Sequence, residues 1–193
     1  MMKNYLALVF GCVFTLSINS NLSAQEYHHG AGISYSYQIS KDFIGGSPEL
    51  TYHPRIAFKI NRGASYSIGA PVSLGFSFSA SSTGESSSSL AYGVPVSFDI
   101  NLGYGCLNRS RNDFGGYFGA GYGVYGFSYS NNRDINTIGE SGFLNIHGIY
   151  AHGGVRWHIG DRYRMSTGLF TYQSFQGVMV FGFRAIYEIT DFR

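Results

Sequence analysis

The chain has 193 residues, of which 44% are hydrophobic and only 12% are charged, about half the charged share of a soluble domain. Its formal net charge of +2 is far from the basic excess of a nucleic-acid-binding protein, so we expect no nucleic-acid partner. The 27 glycines and the aromatic content of 17% favour packed strands over helices, and the predicted fold class is all-β.

The first 24 residues are predicted to be a secretory signal peptide. A lysine precedes an apolar run that begins at Tyr5, and small residues lead up to Ala24. The run is too short for a membrane-spanning helix and has the layout of a cleaved signal. We therefore expect cleavage after Ala24 and one domain over residues 25–193.

Eight segments after this signal alternate apolar and polar residues, which is typical of β-strands. Each is long enough to cross a bilayer as a tilted strand, and an even number places both termini at one end of a barrel. The segments are 27–40, 49–61, 65–78, 90–105, 114–129, 143–159, 164–175 and 178–190.

Segment 90–105 shows the alternation clearly. Val96 and Phe98 share one face, while Ser97 and Asp99 share the other. A half-buried strand of a soluble protein and a membrane-spanning strand both have this pattern. The low charge of the whole chain favours the membrane, with the apolar face toward lipid.

The sixth segment changes phase along its length. Leu144 and Ile146 have one parity, whereas Ile149 and Trp157 have the other. A β-bulge near residues 147–148 would bring all four side chains onto one face.

The connections predict an orientation for the barrel. Those at 61–64, 106–113 and 160–163 are compact and charged, whereas those at 40–48, 79–89 and 130–141 are longer. Short turns on the periplasmic side and longer outer loops are typical of outer-membrane barrels, so we expect both termini in the periplasm. The serine-rich connection 79–89 is expected to be a flexible, solvated tip.

Several stretches carry a resemblance to a known family. They are the Ala-Gln exit from the signal, "GAPVSLGF" and "YGVPVSFDI" with a proline inside the strand, and the glycine-rich "FGGYFGAGYGVYGF". With them the chain resembles the small outer-membrane β-barrel proteins of Gram-negative bacteria. The resemblance implies an eight-stranded antiparallel up-and-down transmembrane barrel in the outer membrane, in contact with membrane lipid and inserted by the barrel assembly machinery. Such chains often end on an aromatic residue, whereas here Phe192 is followed by Arg193.

Charged residues at polar positions of the strands are the candidate functional residues. An eight-stranded barrel is just wide enough to be filled by side chains, so we predict a salt-bridge and hydrogen-bond network in its lumen. Its members are Arg55, Lys59, Asp99, Arg156, Arg184 and Glu188.

Aromatic residues near the strand ends predict two girdles at the membrane interfaces. The girdle at the short-turn end contains Tyr66, Tyr104, Trp157, Tyr163 and Tyr187. Phe127 is assigned to the girdle at the opposite end.

We predict a structural or surface-interaction role with no catalysis, no cofactor and no metal; the sequence names no surface partner. Metal binding by His53 and His152 across the lumen is conceivable but unsupported by ligand spacing. One alternative is a secreted lipocalin-like barrel that binds a small apolar ligand. Another is a lipid A modifying enzyme, although neither His-x-Ser nor Gly-x-Ser-x-Gly occurs in the sequence.

Overall fold

The computed structural model describes residues 25–40, 43–81, 86–103, 106, 114–131, 140–159, 163–175 and 177–190. The predicted signal peptide, Tyr104 and the last three residues lie outside these ranges. The structure is all-β throughout the described part of the chain. No helix there is long and apolar enough to span a membrane.

Ten strands form one antiparallel sheet. They are β1 (Gln25–Ile39), β2 (Phe43–Tyr52), β3 (Arg55–Asn61), β4 (Ala64–Gly69), β5 (Val72–Ser81), β6 (Ser86–Gly103), β7 (Phe114–Asn131), β8 (Glu140–Ile159), β9 (Tyr163–Ser174) and β10 (Met179–Thr190). The sheet closes because β1 pairs with β10, from His28–Thr190 to Ile39–Met179.

The ten strands make eight barrel strands, as the sequence predicts, because β2 continues into β3 and β4 continues into β5. The β2–β5 pair Tyr52–Val72 and the β3–β4 pair Arg55–Gly69 are in one unbroken register. Two residues separate the halves of each strand, His53 and Pro54 in one and Ala70 and Pro71 in the other; proline has no N–H to donate to the ladder. The fold is therefore an eight-stranded antiparallel up-and-down barrel.

Pro95 does not interrupt its strand. It lies inside β6, where it pairs with Gly123 of β7, and the register on its other side places it opposite Pro71. Pro71 lies in the break between β4 and β5, and Pro95 lies directly opposite it on β6. No register shift accompanies them, so the missing donors are accommodated without a bulge.

The predicted bulge at residues 147–148 is wrong. The β7–β8 ladder runs from Phe114–Trp157 to Asn131–Glu140 without a register shift. Ile146 is buried in the barrel interior, whereas Ile149 is exposed on the outer surface. The phase change arises because the inward positions at this end of β8 are apolar, as at Ile146. The sequence pattern does not distinguish an apolar side chain that faces inward from one that faces outward.

The hairpins are longer than predicted and their loops are shorter. The ladder between β5 and β6 extends to Ala80–Ser86, so most of the serine-rich segment 79–89 is strand rather than a flexible tip. Serine fits there because backbone pairing holds the hairpin whatever the side chain. Between β6 and β7, by contrast, ten residues separate Gly103 from Phe114, the strand ends that the structure describes. The lengths of the connections therefore do not divide the two barrel ends into one with short turns and one with long loops.

We call the barrel end that carries Gln25 and Thr190 the terminus end, and the opposite one the far end. Cys106 is buried at the terminus end, where its carbonyl accepts a 2.7 Å hydrogen bond from the Ser65 hydroxyl. At the far end, the turn between β9 and β10 uses Gly177 at φ +80°, a conformation that glycine adopts without strain.

Candidate functional site: the barrel interior

Charged side chains fill the terminus end of the interior. Arg55 donates to Glu188 Oε2 at 2.9 Å, and Arg156 donates to Glu188 Oε1 at 2.9 Å. Both guanidinium groups also donate to Asn101 Oδ1, at 3.0 and 2.6 Å. One carboxylate thus neutralises part of the charge of two arginines, and the amide of Asn101 joins them. We call these four residues the ion-pair cluster.

The ion-pair cluster continues into its surroundings. The Arg156 guanidinium lies 4.2 Å from the centre of the Tyr117 ring, a cation–π arrangement that offsets part of the cost of burying the charge. Asn101 donates to Ser67 Oγ at 3.0 Å, and Ser67 donates to Asp99 Oδ2 at 3.4 Å. Hydrogen bonds therefore connect this cluster with the middle of the barrel.

Asp99 and His152 form a pair in the middle of the interior. Asp99 Oδ1 lies 2.6 Å from His152 Nε2, and both side chains are fully buried. The His152 ring stacks on Tyr150 with centroids 5.0 Å apart, and His53 meets it edge-on at 6.2 Å. Among the described residues, no group of three or more His, Cys, Asp or Glu side chains is placed to hold a metal ion.

Arg184 occupies the next level of the interior toward the far end. It donates to the Tyr150 hydroxyl, and its guanidinium lies 4.9 Å from the centre of the Phe170 ring. The residue is 3% exposed, and its Nε has no hydrogen-bond partner. Arg184 therefore interacts with aromatic groups and not with the carboxylate of the ion-pair cluster.

Glu49 is the centre of a second polar cluster, on the β1–β2 side of the wall. Tyr125 and Ser36 donate to Glu49 Oε1 at 2.6 and 2.7 Å, and Ser34 donates to Oε2 at 3.2 Å. Gln38 adds a 2.9 Å hydrogen bond to the Tyr125 hydroxyl. The negative charge of Glu49 is thus satisfied by hydroxyl donors.

An apolar cluster closes the interior toward the far end. Its residues come from β6 to β10 and from the turn before β10. They are Ala91, Tyr125, Phe127, Ile146, Tyr150, Phe170, Tyr172, Val178 and Val180. The interior is therefore ionic at the terminus end and apolar on the β6–β10 side of the far end, whereas the buried Gln38 and Ser47 make the β1–β2 side of the far end polar.

Five of the six residues predicted for the lumen network are buried in the interior, and three of them meet in the ion-pair cluster. Asp99 instead pairs with His152, and Arg184 with Tyr150. Lys59 departs from the prediction: it is exposed near the end of β3, where the strand has left the enclosed interior.

The predicted girdle at the terminus end is only partly described. Tyr66 and Trp157 are half-buried on the outside, and Tyr187 is 38% exposed. The Tyr163 side chain and Tyr104 lie outside the description, so this girdle stays a prediction. Phe127, assigned to the opposite girdle, belongs to the apolar cluster inside the barrel because its odd position in β7 faces inward.

The sequence interpretation missed several interior residues. Glu49 and Arg164 were given no role, although both are buried. Tyr117 and Tyr125 share the parity of the inward glycines of β7, and this parity was a signal that could have identified them as interior residues.

Comparison with known proteins supports the fold. No family model and no curated protein sequence matches the chain. The crystal structure of Neisserial surface protein A is similar with a TM-score of 0.52 and 10% identity, covering 86% of this chain and 97% of that one. Ail, the attachment invasion locus protein of Yersinia pestis, solved with the heparin analogue sucrose octasulfate, gives a TM-score of 0.50 and 11% identity over 86% of this chain and 99% of that one. This protein therefore has the fold of the small outer-membrane β-barrels.

Proposed function

We propose that the protein is an integral protein of the bacterial outer membrane with a structural or surface-interaction role and no catalysis. The observation that carries the proposal is the inverted distribution of its side chains. In the part of the chain that the structure describes, thirty large apolar or aromatic residues are exposed, among them Leu50 at 71% and Leu169 at 70%. Soluble proteins rarely expose apolar patches larger than a few hundred Å², whereas lipid requires such an outer face.

The interior argues against the lipocalin-like alternative. A barrel that binds a small apolar ligand needs an open apolar cavity. Here the middle and the terminus end contain buried charges, among them Arg55, Asp99 and Glu188, and the β6–β10 side of the far end is packed with aromatic and aliphatic side chains. The same filling supports a barrel that conducts little or no ion current.

The location of the Asp99–His152 pair supports the absence of catalysis on lipids. A lipid substrate would reach the outer surface or the rim, whereas both side chains have no exposed area in the interior. The pair is better explained as part of the hydrogen-bonded filling.

The orientation stays part of the proposal. Both termini lie at one end, and β7 and β8 have 18 and 20 residues, well above the roughly 9–11 residues that cross a bilayer. We propose that their excess length projects from the cell surface at the far end. The hairpins there would then carry any surface contact, and the termini would lie in the periplasm.

Single cysteines at neighbouring positions test the membrane assignment. Val96 is 56% exposed on the outer face, whereas Ser97 is buried; both variants are made in a C106A background. In native membranes V96C should react with a lipid-soluble maleimide and be protected from a water-soluble one. S97C, as the matched control, should react with neither until the protein is unfolded. Rapid reaction of V96C with the water-soluble reagent would contradict the proposal.

A further inference from the structure

A small cavity in the barrel interior lies beside the buried Arg184 side chain. Its volume is about 10 Å³, room for about one water molecule or one ion of similar size. Its lining combines hydroxyl groups, aromatic rings and a guanidinium group. The lining residues are Ser34, Thr51, Pro71, Ser73, Tyr150, Phe170, Tyr172 and Arg184.

The guanidinium group of Arg184 is incompletely paired at this cavity. Its Nε has no hydrogen-bond partner, and the guanidinium group contacts the neutral Tyr150 hydroxyl and the faces of the Tyr150 and Phe170 rings. Glu49 lies in the same row of the sheet, two strands away through Ser34, but its oxygens accept from Ser34, Ser36 and Tyr125. A buried charge normally has a counter-charge and full hydrogen bonding.

The net charge of the buried side chains also favours an anion at this site. Among the described residues, the buried charged side chains are Arg55, Arg156, Arg164, Arg184, Glu49, Asp99 and Glu188. Four cations and three anions leave one positive charge even when the buried histidines are neutral, and protonated histidines would only add to it. One bound monovalent anion would balance the charge of these seven side chains.

We propose that this cavity binds one small monovalent anion of the size of chloride, held by the Nε–H of Arg184 and by the surrounding hydroxyl groups. The Nε–H of Arg184 and the O–H groups of Ser73, Tyr150 and Tyr172 are donors that suit an anion, whereas the Ser34 hydroxyl donates to Glu49. Water has two acceptor sites but brings no counter-charge. The anion acts as a structural ion, because it lies inside the barrel between the ion-pair cluster and the apolar cluster.

Bromide is the probe for this site, because it replaces chloride and has an anomalous X-ray signal. The protein is refolded into detergent micelles and crystallised in sodium bromide. We expect one anomalous difference peak next to Arg184 Nε. A water molecule there without an anomalous peak, or an Arg184 side chain that has moved to Glu49, would overturn the proposal.

Thermal unfolding gives a second measurement, in sodium bromide against sodium gluconate at equal ionic strength. Gluconate is too large for the cavity. At ten times its dissociation constant, bromide should raise the midpoint by about 4 °C. Equal midpoints in the two salts at every concentration would also overturn the proposal.

Two variants locate the effect at the cavity. S73A removes a hydroxyl from the lining, whereas S166A removes a buried hydroxyl that lies outside the lining. S73A should weaken apparent bromide binding about tenfold and S166A should leave it unchanged. R184M should lose the bromide dependence completely; if R184M does not fold, the S73A and S166A pair still decides. Equal weakening by the two serine variants would refute the assignment to this cavity.

Discussion

Asp99 Oδ1 and His152 Nε2 lie 2.6 Å apart in the middle of the barrel, and neither side chain has any exposed area. The two residues come from β6 and β8, which are not neighbours, so their contact crosses the interior above β7. The pair joins the two strands that flank β7, over Gly119 on one side of the barrel wall.

Removal of either partner should destabilise the barrel. D99A leaves His152 without its acceptor, and we expect a loss of about 3 kcal/mol in the free energy of unfolding. H152A should cost a similar amount. The double variant should be less destabilised than the sum of the two by about 1–3 kcal/mol, since the residues are coupled. Urea unfolding of the refolded protein in micelles measures all three; additive effects would show that the contact contributes nothing.

Gly119 of β7 lies directly beneath this pair. A Cβ added there would collide with Asp99 Oδ1 and come within 2.8 Å of His152 Nε2, whereas a Cβ on Gly116 would meet nothing closer than 3.7 Å. We expect G119A to cost about 1–3 kcal/mol because of overpacking, and G116A, the matched control on the same strand, to change stability little. Equal stabilities of the two variants in urea unfolding would show that β7 can move away.

Glu188 should contribute more to stability than any exposed charge. E188Q keeps the shape of the side chain but leaves Arg55 and Arg156 without their shared carboxylate. The expected loss is about 3–5 kcal/mol. K59Q, at an exposed position of β3, should stay within about 0.5 kcal/mol of the original chain. A heat-modifiable shift on electrophoresis at increasing temperature ranks the three proteins, and a K59Q protein as labile as E188Q would contradict this assignment.

The apolar cluster predicts different effects at two isoleucines of β8. Ile146 is 1% exposed and Ile149 is 53% exposed. I146A removes packed atoms from the interior and should cost about 2–5 kcal/mol. I149A removes atoms that contact lipid or detergent, so its cost should be clearly smaller. Equal effects at the two positions would mean that both side chains lie on one face, as the bulge predicted from the sequence requires.

The sequence predicts the barrel well because most interior positions are polar in strands whose outer face is apolar. Asp99, Arg184 and Glu188 are therefore assigned to the interior by parity alone. Ile146 and Phe127 are not, because an apolar side chain has the same appearance on either face. The sequence also does not predict which interior residues pair with each other, since Arg55 and Glu188 are brought together only when the barrel closes.

Strand length is the other part that the pattern could not predict. The serine-rich segment after Phe78 does not alternate apolar and polar residues, so the sequence predicts a loop there. Backbone hydrogen bonding continues through them regardless of side chain, and it sets where the β5–β6 hairpin turns.

The seam between β1 and β10 has a consequence for how the protein is made. It joins His28 to Thr190 and Ile39 to Met179, so the first strand to be synthesised must wait for the last before its outer edge is satisfied. Until then the chain presents two unpaired edges and a row of apolar side chains, which invite aggregation. Closure therefore requires the last described strand, and loss of β10 alone would prevent it in an otherwise intact sheet.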